Sequence, residues 1–406
     1  MPITANTYIL DQNTISIGAI VYMSKIYSKI SNQFRLFEQK RTLFVSLLTI
    51  LFCVATVGLM VFANAHIHDL ESIDKRDRTH IVLKDSVLRW DSNHYNKLAK
   101  DGYTEPYQPA FFPLYPLTLR ATSEVTGLNI LLSGLLVSVI CTVSFVLIMC
   151  KFLEEIIKIN NANNQGDIYS LMLLIAAFPT SFFLAIMYPE SLFLLLSSLA
   201  VLSYHKQKYY VSALAVFLLT LVKVQGLMLG VFFAIYILTK VKNKSKITLK
   251  EFIPAIGFAG IFLYLYFLNQ EYGNPLYFIE AQKFWGRLSE SYFSSLIYSF
   301  RPLYLWFIGF VLLGIKGLMS LKDLSLRNSL IGYSAALILL PLSSGSFDSI
   351  NRYVVVAFPL FIGVFLALFG GKASVGRTNL RLLYFVSSSF LLAWYLLLFS
   401  NGYWAG

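Results

Sequence analysis

Residues 43–63, LFVSLLTILFCVATVGLMVFA, form a run of twenty-one residues without a single charged side chain. An α-helix rises about 1.5 Å per residue, so about 20 residues cross the ~30 Å hydrocarbon core of a bilayer. The run is therefore long and apolar enough to cross a membrane as one helix.

The composition of the whole chain agrees with that first run. Of the 406 residues, 57 % are hydrophobic and only 13 % are charged, whereas a soluble domain carries about 25 % charged residues. The three cysteines fall inside apolar runs and indicate no disulfide framework. An ordinary soluble enzyme, a disordered chain and a disulfide scaffold are therefore excluded, and an integral membrane protein is expected.

Ten more apolar runs follow, which predicts an all-α polytopic membrane protein with about eleven transmembrane helices. Cytoplasmic segments of such proteins carry an excess of Lys and Arg. With residues 1–42 as a cytoplasmic N-terminal segment, twenty basic residues fall in cytoplasmic segments and five in short outer loops. The predicted spans lie at 43–63, 128–150, 169–187, 190–204, 209–222, 226–239, 252–269, 303–318, 328–342, 353–370 and 383–399.

This orientation makes 43–399 a single transmembrane domain, with 64–127 as a long extracytoplasmic loop and 400–406 as a short extracytoplasmic tail. Polar residues beside membrane spans are costly and tend to be functional. Those of this chain come from five outer segments, so we expect one outer site, although polar outer loops alone would give the same pattern. The residues are Asp91, His94, Glu190, Lys223, Gln225, Gln282, Trp285, Arg287, Asp348 and Arg352.

The long loop contains the most informative stretch, SVLRWDSNHYNKLAK at 86–100. Apolar and aromatic side chains recur there every three or four residues, which predicts one amphipathic helix lying in the membrane interface. Asp91 would then be held at the outer surface beside Trp90; the alternative is a solvated surface carboxylate. The proline-rich stretch GYTEPYQPAFFPLYP, 102–116, predicts a rigid non-helical loop that packs on a lipid substrate or forms an interfacial aromatic belt.

Two later segments carry basic candidates. In GNPLYFIEAQKFWGR, 273–287, Arg287 can grip a phosphate and Trp285 can stack on a sugar, unless both are interfacial anchors. In SFDSINRY, 346–353, Arg352 binds a phosphate or forms a salt bridge with Asp348. The sequence has no Walker loop, no GxGxxG, no CxxC and no Asp-x-Asp pair in the outer loops. We therefore expect no nucleotide-sugar donor, no metal and no cofactor.

Several short motifs follow one another along the chain: Arg89-Trp90-Asp91, Gly102-Tyr103, the 111–116 stretch, Phe178-Pro179, Tyr188-Pro189-Glu190-Ser191, Gln282-x-x-Trp285-Gly286-Arg287 and Arg352-Tyr353. In this order they resemble the motifs of the PIG-V-like mannosyltransferase family, which is glycosyltransferase family 76 of the GT-C superfamily. At Lys223-Val224-Gln225-Gly226 the chain departs from that family, in which an Arg and a Pro are more usual.

The resemblance implies a GT-C-like fold and an inverting, metal-independent transferase. It would move mannose, or a similar hexose, from a polyprenyl- or dolichyl-phosphate donor to a lipid-linked or surface glycan on the extracytoplasmic side. We predict Asp91 as the general base, with a pKa raised by the surrounding Trp and lipid. The candidates for donor and acceptor binding are Arg89, Trp90, His94, Tyr115, Glu190, Lys223, Gln225, Gln282, Trp285, Arg287, Asp348, Arg352 and Tyr353.

A transporter or flippase of a lipid-linked glycan is the alternative function. A transporter is expected to show internal repeats and ionisable groups near the bilayer midplane, whereas the polar residues of this chain gather at its outer loops. The small size favours a bacterial or archaeal cytoplasmic membrane over that of the endoplasmic reticulum. We expect membrane lipids, a lipid-phosphate hexose and a glycan as partners, and no nucleic acid.

Overall fold

The computed structural model describes residues 9–66, 83–160, 168–285, 299–343, 347, 349–371 and 374–405, with side chains from residue 38 onward. Its regular secondary structure is helical, and the described residues contain no β-strand. The chain divides into two compact units, Met1–Leu48 and Thr49–Gly406, and every contact described below lies within the second. The prediction of an all-α polytopic membrane protein is confirmed.

The helices differ widely in length, from single turns to segments longer than a bilayer is thick. Short 3-10 helices lie at Gln108–Ala110, Ser181–Leu184, Val224–Met228, Leu249–Phe258 and Ala281–Trp285. The α-helices that we number here are α1 (Ile9–His66), α2 (Leu83–Val87), α3 (Asp91–Asp101), α4 (Leu114–Thr126), α5 (Ile130–Asn160), α6 (Ile168–Ala176), α7 (Glu190–His205), α8 (Tyr209–Thr220), α9 (Leu229–Lys242), α10 (Ala259–Tyr272), α11 (Tyr277–Glu280), α12 (Tyr304–Leu318), α13 (Leu324–Leu342), α14 (Ile350–Val355), α15 (Pro359–Phe369) and α16 (Val375–Ser400).

Six helical segments of the described chain are long and apolar enough to cross a membrane. Four shorter apolar helices, α7, α8, α12 and α15, accompany them. Ten of the eleven predicted runs coincide with one of these ten segments, while the number of crossings stays a prediction. The six are Glu38–His66, Ile130–Asn160, Val224–Lys242, Leu249–Tyr272, Leu324–Leu342 and Val375–Ser400.

The predicted span at 169–187 is not one helix. α6 ends at Ala176 and a turn containing Pro179 leads to the short 3-10 helix, because proline cannot donate a backbone hydrogen bond and disfavours helix at the residue before it. Hydroxyl groups of α5 satisfy the irregular backbone: Ser138 donates to the Ile186 carbonyl at 2.5 Å and Thr142 to the Leu184 carbonyl at 2.7 Å. Non-helical backbone at membrane depth needs such partners.

The predicted helix over 86–100 is also divided. α2 ends at Val87 and α3 begins at Asp91, and Trp90 between them adopts a φ of 53°. Such a φ costs a non-glycine residue about 1–3 kcal/mol and persists only where contacts hold it. The Trp90 indole N–H donates to the Tyr403 carbonyl at 3.3 Å, and its ring lies edge-on to Trp404 with centroids 5.4 Å apart. This break places Asp91 at the N-terminus of α3.

The loop 102–116 is fixed to two membrane helices. The Tyr264 hydroxyl of α10 donates to the Pro109 carbonyl at 2.7 Å, and the Leu114 N–H donates to the Leu221 carbonyl at 2.9 Å, directly after α8. The non-helical stretch is shorter than predicted, since α4 already begins at Leu114. Pro116 is compatible with that start because N–H groups of a first helical turn have no intrahelical partner.

Two helices approach each other very closely where α12 meets α15, which is almost completely buried. Ten of the eleven residues of α15 are buried. At Gly317 and Gly363 the two backbones are so close that a Cβ on either residue would collide with the opposite helix, as in glycine-mediated membrane helix pairs. In contrast, Phe262 and Tyr266 of α10 are 65 % and 67 % exposed, which indicates a lipid-facing surface.

Candidate active site

Four charged side chains form one network around Arg352. Its Nη1 donates to Asp91 Oδ2 at 2.7 Å, and its Nε lies 2.8 Å from Glu190 Oε1. Lys223 Nζ lies 2.6 Å from the same Glu190 oxygen. Two carboxylates and two cations therefore balance each other, as charges removed from water must.

Local sequence explains why these four residues stand at ends and breaks of helices. Asp91 and Glu190 are the first residues of α3 and α7, where the helix dipole favours a negative charge. Lys223 has extended backbone directly before the 3-10 helix Val224–Met228, and Arg352 belongs to the short helix α14. The helix breaks thus bring charges from four distant segments to one place.

Asp91 is held in its ionised form. Burial would raise the pKa of its carboxyl, but the charge and hydrogen bond of Arg352, with smaller effects of Lys223 and His94, outweigh burial and hold that pKa below its ordinary value. The predicted rise in pKa is therefore wrong while Arg352 is bound, because the prediction lacked this cation. The Asp91 side chain is 21 % exposed, so a hydroxyl group from outside the protein can reach it.

Glu190 is completely buried and has hydrogen-bonding capacity to spare. Its Oε1 accepts a hydrogen bond from Lys223 and forms an ion pair with Arg352, while its Oε2 accepts no hydrogen bond from the residues that the structure describes. The neighbouring Ser191 Oγ is likewise buried without such a partner in the described chain. A buried polar atom left unsatisfied costs about 1–3 kcal/mol, so both atoms are suited to receive a hydroxyl-rich ligand.

Aromatic rings surround the Arg352 guanidinium. Its central carbon lies 5.2 Å from the centroid of Tyr188, 5.7 Å from Phe183 and 5.7 Å from Trp404, distances at which cation–π attraction operates. Trp404 was not a sequence candidate, because an isolated Trp beyond the final span belongs to no recognisable pattern. It reaches the network because 401–405 packs into the fold: Asn351 Nδ2, for example, donates to the Ala405 carbonyl at 3.2 Å.

His94, one helical turn after Asp91, is enclosed by three aromatic side chains. Its ring stacks on Phe111 at a centroid distance of 5.1 Å and meets Tyr107 and Trp285 edge-on at 5.2 and 5.1 Å. Burial lowers the pKa of His94 more than the Asp91 charge raises it, so its imidazole is neutral at pH 7. Because Trp285 is 40 % exposed, it provides an accessible aromatic face beside His94. All five predicted outer segments are thereby joined in one set of contacts.

The sequence comparison that decides the family covers most of this network. Residues 33–313 match the family model described as mannosyltransferase (PIG-V). The chain belongs to this family. The resemblance of the motifs is thus confirmed, and the matched range includes Asp91, Glu190 and Lys223 but ends before Arg352.

A curated relative supports the same assignment. GPI mannosyltransferase 2 of Schizosaccharomyces pombe is 25 % identical over 198 residues, which are 47 % of this chain and 42 % of that protein. The aligned stretch therefore spans less than half the length of the yeast protein.

Two further motif residues, Arg89 and Tyr115, contact the segments that flank Asp91. Arg89 is buried and donates from Nη2 to the Ser400 carbonyl at 3.3 Å, while its own carbonyl accepts from the Tyr188 hydroxyl at 3.1 Å. Tyr115 is fully buried and lies edge-on to Tyr95 at 4.9 Å. These contacts brace the turn before Asp91 and the face of α3 that points inward.

Three of the remaining candidates lie next to residues of the site in the sequence, and two lie outside the described part of the chain. Gln225 is buried in the 3-10 helix after Lys223, Tyr353 is buried next to Arg352, and Gln282 precedes Trp285 in the last 3-10 helix. Arg287 and Asp348 lie outside the described residues. The salt bridge predicted between Asp348 and Arg352 is therefore not described, and the partners that the structure gives Arg352 are Asp91 and Glu190.

Proposed function

We propose that this chain is a membrane mannosyltransferase that moves mannose, or a similar hexose, from a polyprenyl- or dolichyl-phosphate donor to a lipid-linked or surface glycan. Membership of the PIG-V family supports a transferase over the transporter that the sequence left open. One observation carries the proposal: Asp91 and a buried guanidinium lie 2.7 Å apart. A base for the acceptor and a cation for a leaving phosphate are what this displacement requires.

The proposed reaction is a single displacement at the anomeric carbon. The oxygen of an acceptor hydroxyl forms the new bond to that carbon while the bond from the carbon to the phosphate oxygen breaks. The bonding electron pair leaves with the lipid phosphate, and the hydroxyl proton passes to Asp91. Attack and departure occur on opposite faces of the sugar, so the anomeric configuration is inverted.

Arg352 has two roles in this proposal. Before the donor binds, its guanidinium is committed to Asp91 and Glu190. The phosphodiester of the donor presents two oxygens that share one negative charge, in the fork geometry that guanidinium prefers, and a second charge develops on it as the bond to the sugar breaks. We propose that Arg352 then turns toward this group. Asp91 loses its strongest lowering influence, so burial becomes dominant and the pKa of its carboxyl rises. Donor binding thus converts Asp91 into a stronger base.

Glu190 and Lys223 keep the site in order during this exchange. The ion pair of 2.6 Å between them neutralises Glu190 when Arg352 moves away, so that Glu190 is not left as an unpaired buried charge. Lys223 also adds positive charge on the side of the phosphate. The free Oε2 of Glu190 is available to accept a hydroxyl of the transferred sugar.

Several parts of the proposal concern the setting of the reaction. A lipid-phosphate donor requires no metal, and among the described residues no group of three or more His, Cys, Asp and Glu side chains is placed to hold one. We propose that the site faces the extracytoplasmic side of one transmembrane domain, 43–399, in a bacterial or archaeal cytoplasmic membrane. The side of the membrane, the extent of the domain and the kind of membrane are predictions from the sequence.

A transfer assay tests the proposal directly. Purified full-length chain is incubated with polyprenyl-phospho-mannose and a lipid extract of its host, and the lipids are analysed by mass spectrometry. We expect one lipid species to gain one hexose while the donor is consumed, both without added metal and with EDTA. Transfer from guanosine-diphosphate mannose but not from the polyprenyl donor would overturn the proposed donor class.

A further inference from the structure

A second polar feature lies at the start of α16, the helix whose last residue, Ser400, contacts Arg89. A groove of about 490 Å³ is formed between the end of α5, the ends of α12 and α15, and the start of α16. Lys316, Lys322 and Arg377 line it, and none of the lining residues that the structure describes is acidic. Four glycines complete a large part of the wall, namely Gly317, Gly370, Gly371 and Gly376.

The groove and the charged network are separated by about one membrane thickness. α16 begins beside the groove with Arg377 in its first turn and ends at Ser400, whose carbonyl accepts from Arg89. The 26 residues of α16 span about 39 Å, which exceeds the ~30 Å hydrocarbon core and approaches the ~40–45 Å of a bilayer with its headgroup regions. The three basic residues also belong to segments that the charge bias predicts to be cytoplasmic, whereas the network belongs to outer segments.

The acidic residue next to Lys322 in the sequence does not line the groove. Asp323 follows Lys322, but its carboxylate caps α13 by accepting from the N–H groups of Ser325 and Leu326 at 2.9 and 3.0 Å. The Lys322 backbone is fixed by an N–H bond of 3.0 Å to Asn160 Oδ1. The side chains of Lys316 and Lys322 are exposed, so both are available to an anion.

A fourth cation extends the basic surface along α16. Arg381, one helical turn after Arg377, donates from Nε to the Leu368 carbonyl at 2.9 Å and stacks over Phe369 at 4.6 Å. Its Nη2 is buried and has no hydrogen-bond partner among the described residues. Apolar side chains also border the groove, namely Leu313, Leu366 and Leu380.

We propose that this groove binds the phosphate headgroup of an anionic membrane lipid. Clusters of Lys and Arg at the cytoplasmic membrane surface attract such headgroups, and a glycine wall lets a phosphate approach the backbone closely. The bordering leucines give the first methylenes of the acyl chains an apolar surface. A free phosphate ion shares the headgroup chemistry but makes no use of this apolar border.

Ligand titration of paired variants tests the proposal. The full chain in detergent is titrated separately with short-chain phosphatidylglycerol, short-chain phosphatidylcholine and inorganic phosphate, and binding is followed by thermophoresis. The test variant is Lys316→Ala with Lys322→Ala. The control is Lys242→Ala with Lys246→Ala, which removes two exposed lysines on the same predicted side but outside the groove.

One basic residue near a lipid headgroup raises the affinity for that headgroup about five-fold. The test pair should bind phosphatidylglycerol about 25-fold more weakly, the control pair should change less than about two-fold, and phosphatidylcholine should bind weakly to all. Unfolding temperatures of both pairs should match the parent, since all four lysines are exposed. Equal losses in both pairs would overturn the groove, and displacement of the lipid by dilute inorganic phosphate would overturn the lipid as its ligand.

Discussion

Replacing Asp91 with Asn gives the sharpest test of its role as general base. Asn keeps the size of the side chain and can still accept a hydrogen bond from Arg352, but it takes no proton at neutral pH. General-base assistance contributes about 10²–10⁴-fold, which corresponds to roughly 3–5 kcal/mol of activation free energy. We expect kcat to fall by that factor while the affinity for the donor changes little, since the phosphate is held by cations.

The same substitution should have a smaller effect on folding. Removing one partner of a buried ion pair typically costs about 3–5 kcal/mol. Asp91 is 21 % exposed, and Arg352 keeps Glu190 as a partner at 2.8 Å. We therefore expect the free energy of unfolding to fall by only about 1–2 kcal/mol.

The assay measures single-turnover transfer from labelled polyprenyl-phospho-mannose and thermal unfolding in the same detergent. Asp101→Asn is the matched control, because Asp101 is exposed at the other end of α3. It should leave transfer within about two-fold of the parent, since it touches none of the charged network. If Asp91→Asn retained more than about a tenth of the parent kcat, Asp91 would not be the base and Glu190 would be the next carboxylate to test.

Further predictions concern orientation, proton affinity and charge balance. In a cysteine-free background, single cysteines at Lys246 and Glu105 should be labelled from opposite sides of the membrane. Labelling of both from the same side would contradict the predicted orientation and, with it, the extracytoplasmic position of the site. As pH falls, kcat should begin to decrease at a higher pH than kcat/KM does, because Arg352 lowers the pKa of Asp91 only until the donor binds. If both decreased at the same pH, Arg352 would not move from Asp91 to the donor phosphate. Glu190→Gln should lower the unfolding free energy by about 3–5 kcal/mol by leaving a buried cation unpaired, and adding Lys223→Met should restore most of it; no restoration would refute the proposed pairing.

The sequence predicted the membrane helices well because their signal is local. Apolar runs of about 20 residues need no tertiary information, and ten of the eleven predicted runs coincide with apolar helices or spans. The failures have a common cause. The hydropathy of 169–187 correctly indicated an apolar segment, but the turn at Pro179 ends its helix. The periodicity of 86–100 correctly indicated helix, but the conformation of Trp90 divides it in two.

The site was only partly predictable for a different reason. Charge bias and polar residues near spans placed the candidates in five outer segments, which the structure joins in one set of contacts. The identity of each partner could not follow from spacing, because Asp91 and Arg352 are 261 residues apart. The local pairing of Asp348 with Arg352 was the natural alternative at four residues' separation, whereas Trp404 offered no pattern at all.

The pairing of Asp91 with Arg352 also reconciles two demands on one carboxylate. A base that must wait beside a membrane needs to remain ionised, and a nearby guanidinium ensures this by lowering its pKa. A base that must remove a proton from a sugar hydroxyl needs a higher pKa, which a partly buried carboxylate has once its cation is withdrawn. In the proposed cycle the withdrawal is caused by the donor phosphate itself, so proton affinity rises only when the electrophile is present. Lys223, still bound to Glu190, keeps the remaining buried charge paired throughout.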